Sequence, residues 1–426
     1  MEQRTFPRLG EVCYYERLDN GLSIYVVPKP GYSKCHAVSA VSYGGMDRRF
    51  DLGEGMQDTP AGIAHYLEHK MFDMKEGSAL QALSAAGASP NAFTASDVTA
   101  YYFSCTDRFA EHLRLLIRFV STPYFTPESV QKEQGIIGQE IGMVRDNPDW
   151  RVYQNLLRGL YCHHPLRESI IGTVESISKI TDQTLYDCHR AFYHPGNMAL
   201  CVAGDVDPKR VVSIARSLLP GDPVPVAQKD YGPAEPISAA AQEIEEEMAV
   251  SSPSFLLGFK APPHGEGRED LRRTLLGDLC AELLCGENSP LYARLYREGL
   301  INKSFEAAYN SYPGAAFLAL GGESDNPRAV RRLVLEEAKQ LSGGIDPQRF
   351  QRVLRGEYGA RVRSLNGLET ICTRLFRGCF RGYHYFDFGE LYPTLTPEAA
   401  AEFLGQVVRE EQSCLSIIQP KGATFA

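Results

Sequence analysis

Short apolar runs with strand chemistry alternate along this chain with longer segments whose apolar positions recur every three to four residues. Residues 22–27 (LSIYVV) follow the turn Asp19-Asn20-Gly21 and predict a strand. Residues 37–43, 100–105 and 198–203 predict three more, the second strand ending at Gly44-Gly45 and the fourth at Gly204-Asp205. Helical periodicity fills the intervals. One helix is expected to start near Asp58-Thr59-Pro60, a capping residue with proline in the first turn. Another covers 77–86. A third, over 107–121, puts Phe109, Leu113, Leu116 and Phe119 on one face. A fourth starts at Thr126-Pro127-Glu128 and stops before Pro148.

Residues 219–237 hold five prolines and two glycines and read as a linker. The same grammar then restarts, with strands at 255–259 and 315–321 and helices at 269–285 and 327–341. Similar length and element order predict two related α+β halves: a domain over 1–220, a Pro-rich linker over 221–238 and a second domain over 239–426.

Composition narrows the class. The 426 residues exceed what one core usually serves, and 43% apolar with 23% charged residues fits a soluble globular protein. The net charge of −9 argues against a nucleic-acid binder. The longest apolar runs, MALCVAG at 198–204 and AAFLALGG at 315–322, are too short to span a bilayer. The first residues lack the apolar core of a signal peptide, so a cytoplasmic location is expected. The 11 cysteines form no CxxC pair and are expected to be reduced core residues.

The candidate chemistry lies in AGIAHYLEHKMF, residues 61–72. On a helix His65, Glu68 and His69 share a face, and two imidazoles one turn apart can grip one ion with the carboxylate beside it. Ile63, Leu67 and Met71 make an apolar stripe on another side. By itself the pattern fits either a ligand helix or a solvated helix face. Downstream, Glu133 and Glu140 stand seven apart, two helical turns, so one can ligate an ion while the other braces a histidine. The poor helix formers Gly135 and Gly138 predict close approach to a neighbouring element and burial of this helix.

These residues resemble the inverted-motif zinc metallopeptidases, specifically the pitrilysin/insulinase (M16) family in its bacterial processing-peptidase-like branch. Glu140 lies 71 residues past His69, where the family places its third ligand, and Glu133 matches the earlier glutamate. Gly87-Ala-Ser-Pro-Asn91-Ala92-Phe93-Thr94 is similar to a segment that borders substrate in the family. His164-Pro165, Ile171-Gly172-Thr173-x-Glu175-Ser176-Ile177 and Tyr193-x-Pro195-x-Asn197-Met198 also fit, so the resemblance covers about 15–210.

The resemblance implies an α+β fold of two homologous domains. Each is a mixed, mostly antiparallel β-sheet backed by helices (the LuxS/MPP-like metallohydrolase fold), and the chain forms half of a clamshell. It implies one Zn2+ per chain on His65, His69 and Glu140, with Glu133 bracing a ligand and Glu68 moving the proton. Asn91, Ala92 and Phe93 would hold a peptide substrate by strand addition. The second half departs from the family pattern. Where an Arg and a Tyr are expected around Gly299-Leu300, this chain has Leu295 and Asn302. The expectation is a heterodimer with a homologous subunit that supplies the pair, a homodimer being the other arrangement. A non-catalytic assembly or maturation subunit is the alternative function.

Overall fold

The computed structural model describes residues 1–53 and 55–422. They form two compact units. The first comprises Met1–Ile141, Ser169–Asp230 and Arg361–Gly389; the second comprises Gly142–Glu168, Tyr231–Ala360 and the chain from Glu390.

In the first unit the strand Met198–Gly204 runs parallel to Ser23–Pro28 and antiparallel to Cys35–Val41. Thr99–Cys105 follows, and Ser89–Thr94 is outermost. Glu2–Phe6 and Glu11–Arg17 complete this seven-stranded sheet on its other side. In the second unit Ser413–Pro420 runs parallel to Glu243–Met248 and antiparallel to Ser254–Ala261, followed by Ala315–Glu323 and Glu306–Tyr312. The two sheets share one topology over five strands. That is the duplication expected from the repeated element order.

Strand alternation determines what each sheet face receives. Leu200 and Val202 join a core with Leu113 and Leu116 of the helix Phe109–Ser121. Cys201, between them, lies beside Cys372 and Cys379 of the helix Leu368–Phe380 on the other face. That helix comes from the second half of the sequence. In return, the helix Pro148–Leu160 from the first half packs on strands Ser254–Ala261 and Ser413–Pro420 of the second unit. All eleven cysteines are free thiols and nine are buried.

The helix expected near Asp58 begins later, at Ile63. Residues Met56–Asp58 instead pair as a strand with Arg49–Asp51. The helix is entered through Gly62 at φ 95°, where a side-chain carbon would sit 2.6 Å from the Ile171 carbonyl oxygen. Ser176 Oγ donates to Ala61 O at 2.7 Å, so the segment 171–177 buttresses the start of this helix.

The Pro-rich stretch is tied down at two points. Gln228–Asp230 pairs with Arg49–Asp51. Glu235 accepts from the backbone N–H groups of Cys162, His163 and His164 and from the buried Lys260 ammonium at 3.1 Å. Burial alone would raise the Glu235 pKa, but these donors outweigh it and hold it at about 2, against an ordinary value of 4.5. A depressed folded pKa contributes stability above the unfolded value and loses it as pH falls through the folded one. Glu235→Gln is expected to cost the second unit about 3 kcal/mol, because it leaves Lys260 buried without its counter-charge. Denaturant melts check this. The variant should also lack the part of the parent's stability loss that falls between pH 4.5 and about 2.

Candidate metal centre

The ligand helix Ile63–Lys70 packs its apolar stripe inward: Ile63, Leu67 and Met71 are all core residues. Its other face is mostly buried, with His69 partly exposed. His65 and Glu68 are each only 8% exposed, which disposes of the plain surface-helix alternative. The partner helix Pro127–Arg145 turns Val130 and Ile137 into the core, and their spacing of two turns leaves Glu133 and Glu140 aligned on an adjoining face. Gly135 and Gly138 do not mark a close approach. A side-chain carbon added at either meets nothing within 4 Å, since both lie on the open side of the helix, where a glycine costs only propensity.

His65, His69 and Glu140 offer donor atoms that all lie within 4.8 Å of one another, and they are the metal-competent group found among the described residues. His65 Nε2 is 3.5 Å from Glu140 Oε1, and His69 Nε2 is 3.7 Å from Oε2. Two donors bound tetrahedrally to zinc at its usual bond lengths stand about 3.3 Å apart. The two histidine-to-Glu140 separations therefore come within a few tenths of an ångström of that spacing. His69 Nδ1 meets Glu133 Oε1 at 2.9 Å. This contact fixes the ring and leaves Nε2 as the donor facing Glu140. Burial, reinforced by the nearby His69, pushes His65 down to about 3, so its imidazole is neutral at physiological pH. The hydrogen bond from His69 is the main cause that holds Glu133 below its ordinary value.

Glu68 stands beside the cluster. Its Oε2 accepts a 2.7 Å hydrogen bond from Thr94 Oγ1, at the end of the outermost strand Ser89–Thr94. Burial raises the Glu68 pKa and the Thr94 hydroxyl pulls against it, with a net rise. Thr94 is the residue that sequence reasoning missed. It stood inside a recognised segment, but nothing local shows that its hydroxyl reaches a helix 26 residues away. On the same strand Asn91 is exposed and turns Oδ1 onto the Ala92 N–H, while Ala92 and Phe93 are half-buried.

In the second unit Leu295 and Asn302 have structural employment. Leu295 is buried in the helix Pro290–Arg297. Gly299, at φ 70°, lets Leu300 N–H return to Leu295 O at 2.9 Å, so Gly299-Leu300 is a left-handed helix C-cap. Asn302 Nδ2 donates to Glu323 Oε2 at 2.6 Å. In the helix Pro347–Ser364, the residues as far along as Glu133 and Glu140 are in theirs are Val353 and Ala360, so the duplicated position carries no ligand.

The described helices include none long and apolar enough to cross a membrane. Two family patterns match the chain: "Insulinase (Peptidase family M16)" over residues 53–174 and "Peptidase M16 inactive domain" over 179–357. A Bacillus subtilis (strain 168) protein named "Uncharacterized zinc protease YmfH" is 36% identical over 98% of both chains. A solved structure described as a putative M16-like peptidase from Alicyclobacillus acidocaldarius aligns with a TM-score of 0.92 at 32% identity, covering 96% of this chain and 99% of that one. Pitrilysin shares the fold, with a TM-score of 0.77 at 19% identity, and this chain spans 46% of it.

Proposed function

Because the chain belongs to the insulinase family, peptidase family M16, we propose that it is a zinc-dependent endopeptidase acting on peptides or unfolded segments within a closed chamber. The convergence of His65, His69 and Glu140 carries this reading. These residues would hold one Zn2+ per chain. When bound, the ion supplies Lewis-acid chemistry, polarising a carbonyl and acidifying water. The cluster lies wholly within the part of the chain matched by the insulinase pattern, not within the inactive-domain match.

Glu68 does the proton work. Its Oε2 is occupied by Thr94, which leaves Oε1 to take a proton from the attacking water and pass it to the leaving amine. Burial favours this role, because a raised carboxyl pKa lies nearer the working pH. The outermost strand Ser89–Thr94 offers its backbone to an extended peptide, with Asn91, Ala92 and Phe93 as contacts. Since the strand ends at Thr94, a peptide added there runs toward Glu68. Such a contact reads main chain and gives weak sequence preference. Thr94→Val is expected to lower kcat about tenfold with KM little changed, because it frees Glu68 without touching the strand backbone. Steady-state kinetics on a quenched peptide check this.

The working unit is proposed to be a heterodimer. Leu295 in the core and Asn302 held by Glu323 cannot replace the family's Arg and Tyr, so a homologous subunit would supply them. The chain purified alone should cleave a quenched peptide at least about tenfold more slowly than the complex co-purified from its source, a contribution of the size expected for missing transition-state contacts. Equal rates would support a homodimer. Bound zinc without Glu68-dependent cleavage, even in the complex, would support the assembly-subunit alternative.

A further inference from the structure

The two ligand-bearing helices are joined by more than His69 and Glu133. Tyr66 and Lys70 stand at i and i+4 on the helix Ile63–Lys70, and both side chains are almost wholly buried. The Tyr66 hydroxyl donates to Val130 O. Lys70 Nζ donates to Ser129 O at 3.3 Å and pairs with Asp73. Two consecutive carbonyls in the first turn of the helix Pro127–Arg145 are therefore taken by one face of the other helix. Going along Pro127–Arg145, positions 129, 130, 133 and 140 meet Lys70, Tyr66, His69 and then the His65–His69 pair. The contacts form a ladder with the metal-competent cluster at its far end.

We propose that Tyr66 and Lys70 are positioning residues for the metal site, setting the spacing and register at which Glu140 meets His65 and His69. Burying a lysine is costly unless its ammonium is paired, and both Asp73 and Ser129 O pair this one. Here the ammonium binds a backbone oxygen, a partner that does not depend on the side chain at 129. Helix-to-backbone contacts of this kind fix distance. A displacement at Ser129–Val130 is carried along a rigid helix to Glu140, 10 residues from Val130. The donor separations of 3.5 and 3.7 Å tolerate little of it.

This rests on the reading of the cluster as a zinc site. The test measures the zinc dissociation constant of the full chain by competition with a chromogenic chelator, for the parent, Tyr66→Phe and Lys70→Met. Tyr161→Phe serves as a control, since its buried hydroxyl also donates to a backbone carbonyl, Ala316 O at 3.0 Å, in the second unit. Tyr66→Phe removes one oxygen and should fold. The expected result is zinc binding weakened about tenfold or more in both site variants, as for other groups that orient ligands. Tyr161→Phe should match the parent. The visible spectrum of the cobalt-loaded site variants should also change, which a general loss of stability would not cause. Zinc affinity within about threefold of the parent in both, or an equal loss in Tyr161→Phe, would overturn the inference. A parent that binds no zinc would instead remove the site reading itself, and this inference with it.

Discussion

Glu68→Gln is expected to abolish peptide cleavage, lowering kcat by about three orders of magnitude, while bound zinc stays at the parent's level. Glutamine keeps the shape of the side chain and an oxygen to accept from Thr94 Oγ1. Its amide nitrogen, which replaces the other carboxylate oxygen, cannot take a proton from water. Since Glu68 is not among the three converging donors, metal content should not respond. Activity within about tenfold of the parent would mean that another group moves the proton. The pairing of lost turnover with retained zinc separates a proton carrier from a ligand.

His69→Ala is expected to produce the opposite pattern, losing zinc and activity together. Structural zinc sites bind with roughly 10–16 kcal/mol shared among about four donors, so one ligand is worth about 2.5–4 kcal/mol, or on the order of 10²–10³ in affinity. Glu140→Gln should behave alike. Glu133→Gln, which disturbs only the bond to His69 Nδ1, should weaken zinc about 10- to 100-fold and leave a partly active protein at saturating metal. Metal analysis after dialysis against a weak chelator ranks the three. Unchanged zinc in His69→Ala would mean that the ion sits elsewhere.

The grouping of the candidate residues on helix faces was legible in the sequence because it is written in helical spacing, whereas their roles as ligands came only from the family resemblance. His65, Glu68 and His69 fall on one helix face from i, i+3 and i+4 alone, and Glu133 and Glu140 fall on another from a two-turn interval. What was not legible depends on chain segments meeting across long separations. Thr94 reaches Glu68 because a strand packs on the ligand helix, and the sequence between them does not specify that. The late start of the ligand helix has a similar cause, since Asp58, a good cap in isolation, is drawn into pairing with Arg49. Gly135 and Gly138 were misread because glycine is also tolerated where nothing approaches.

The exchange of helices between the two halves of the sequence is the largest feature hidden from sequence. Leu368–Phe380 carries the apolar stripe of any core helix, with Ile371, Cys372, Leu375 and Phe376 buried, and nothing in that stripe says which sheet it covers. The Gly299-Leu300 cap has a local signature, although in the sequence these residues served only to place the expected Arg and Tyr. A glycine followed by a leucine after a helical run is a stop signal on its own terms, and it accounts for both residues without a catalytic role.

X-ray absorption at the zinc edge of the purified chain reads the donors around the ion. The expected spectrum is that of one zinc per chain with only nitrogen and oxygen donors, at about 2.0–2.1 Å. This signal should disappear in His69→Ala. Sulfur donors at about 2.3 Å, which would place the ion on some of the eleven thiols, would contradict a zinc site on His65, His69 and Glu140. So would a nitrogen- and oxygen-bound zinc that persists unchanged in the variant.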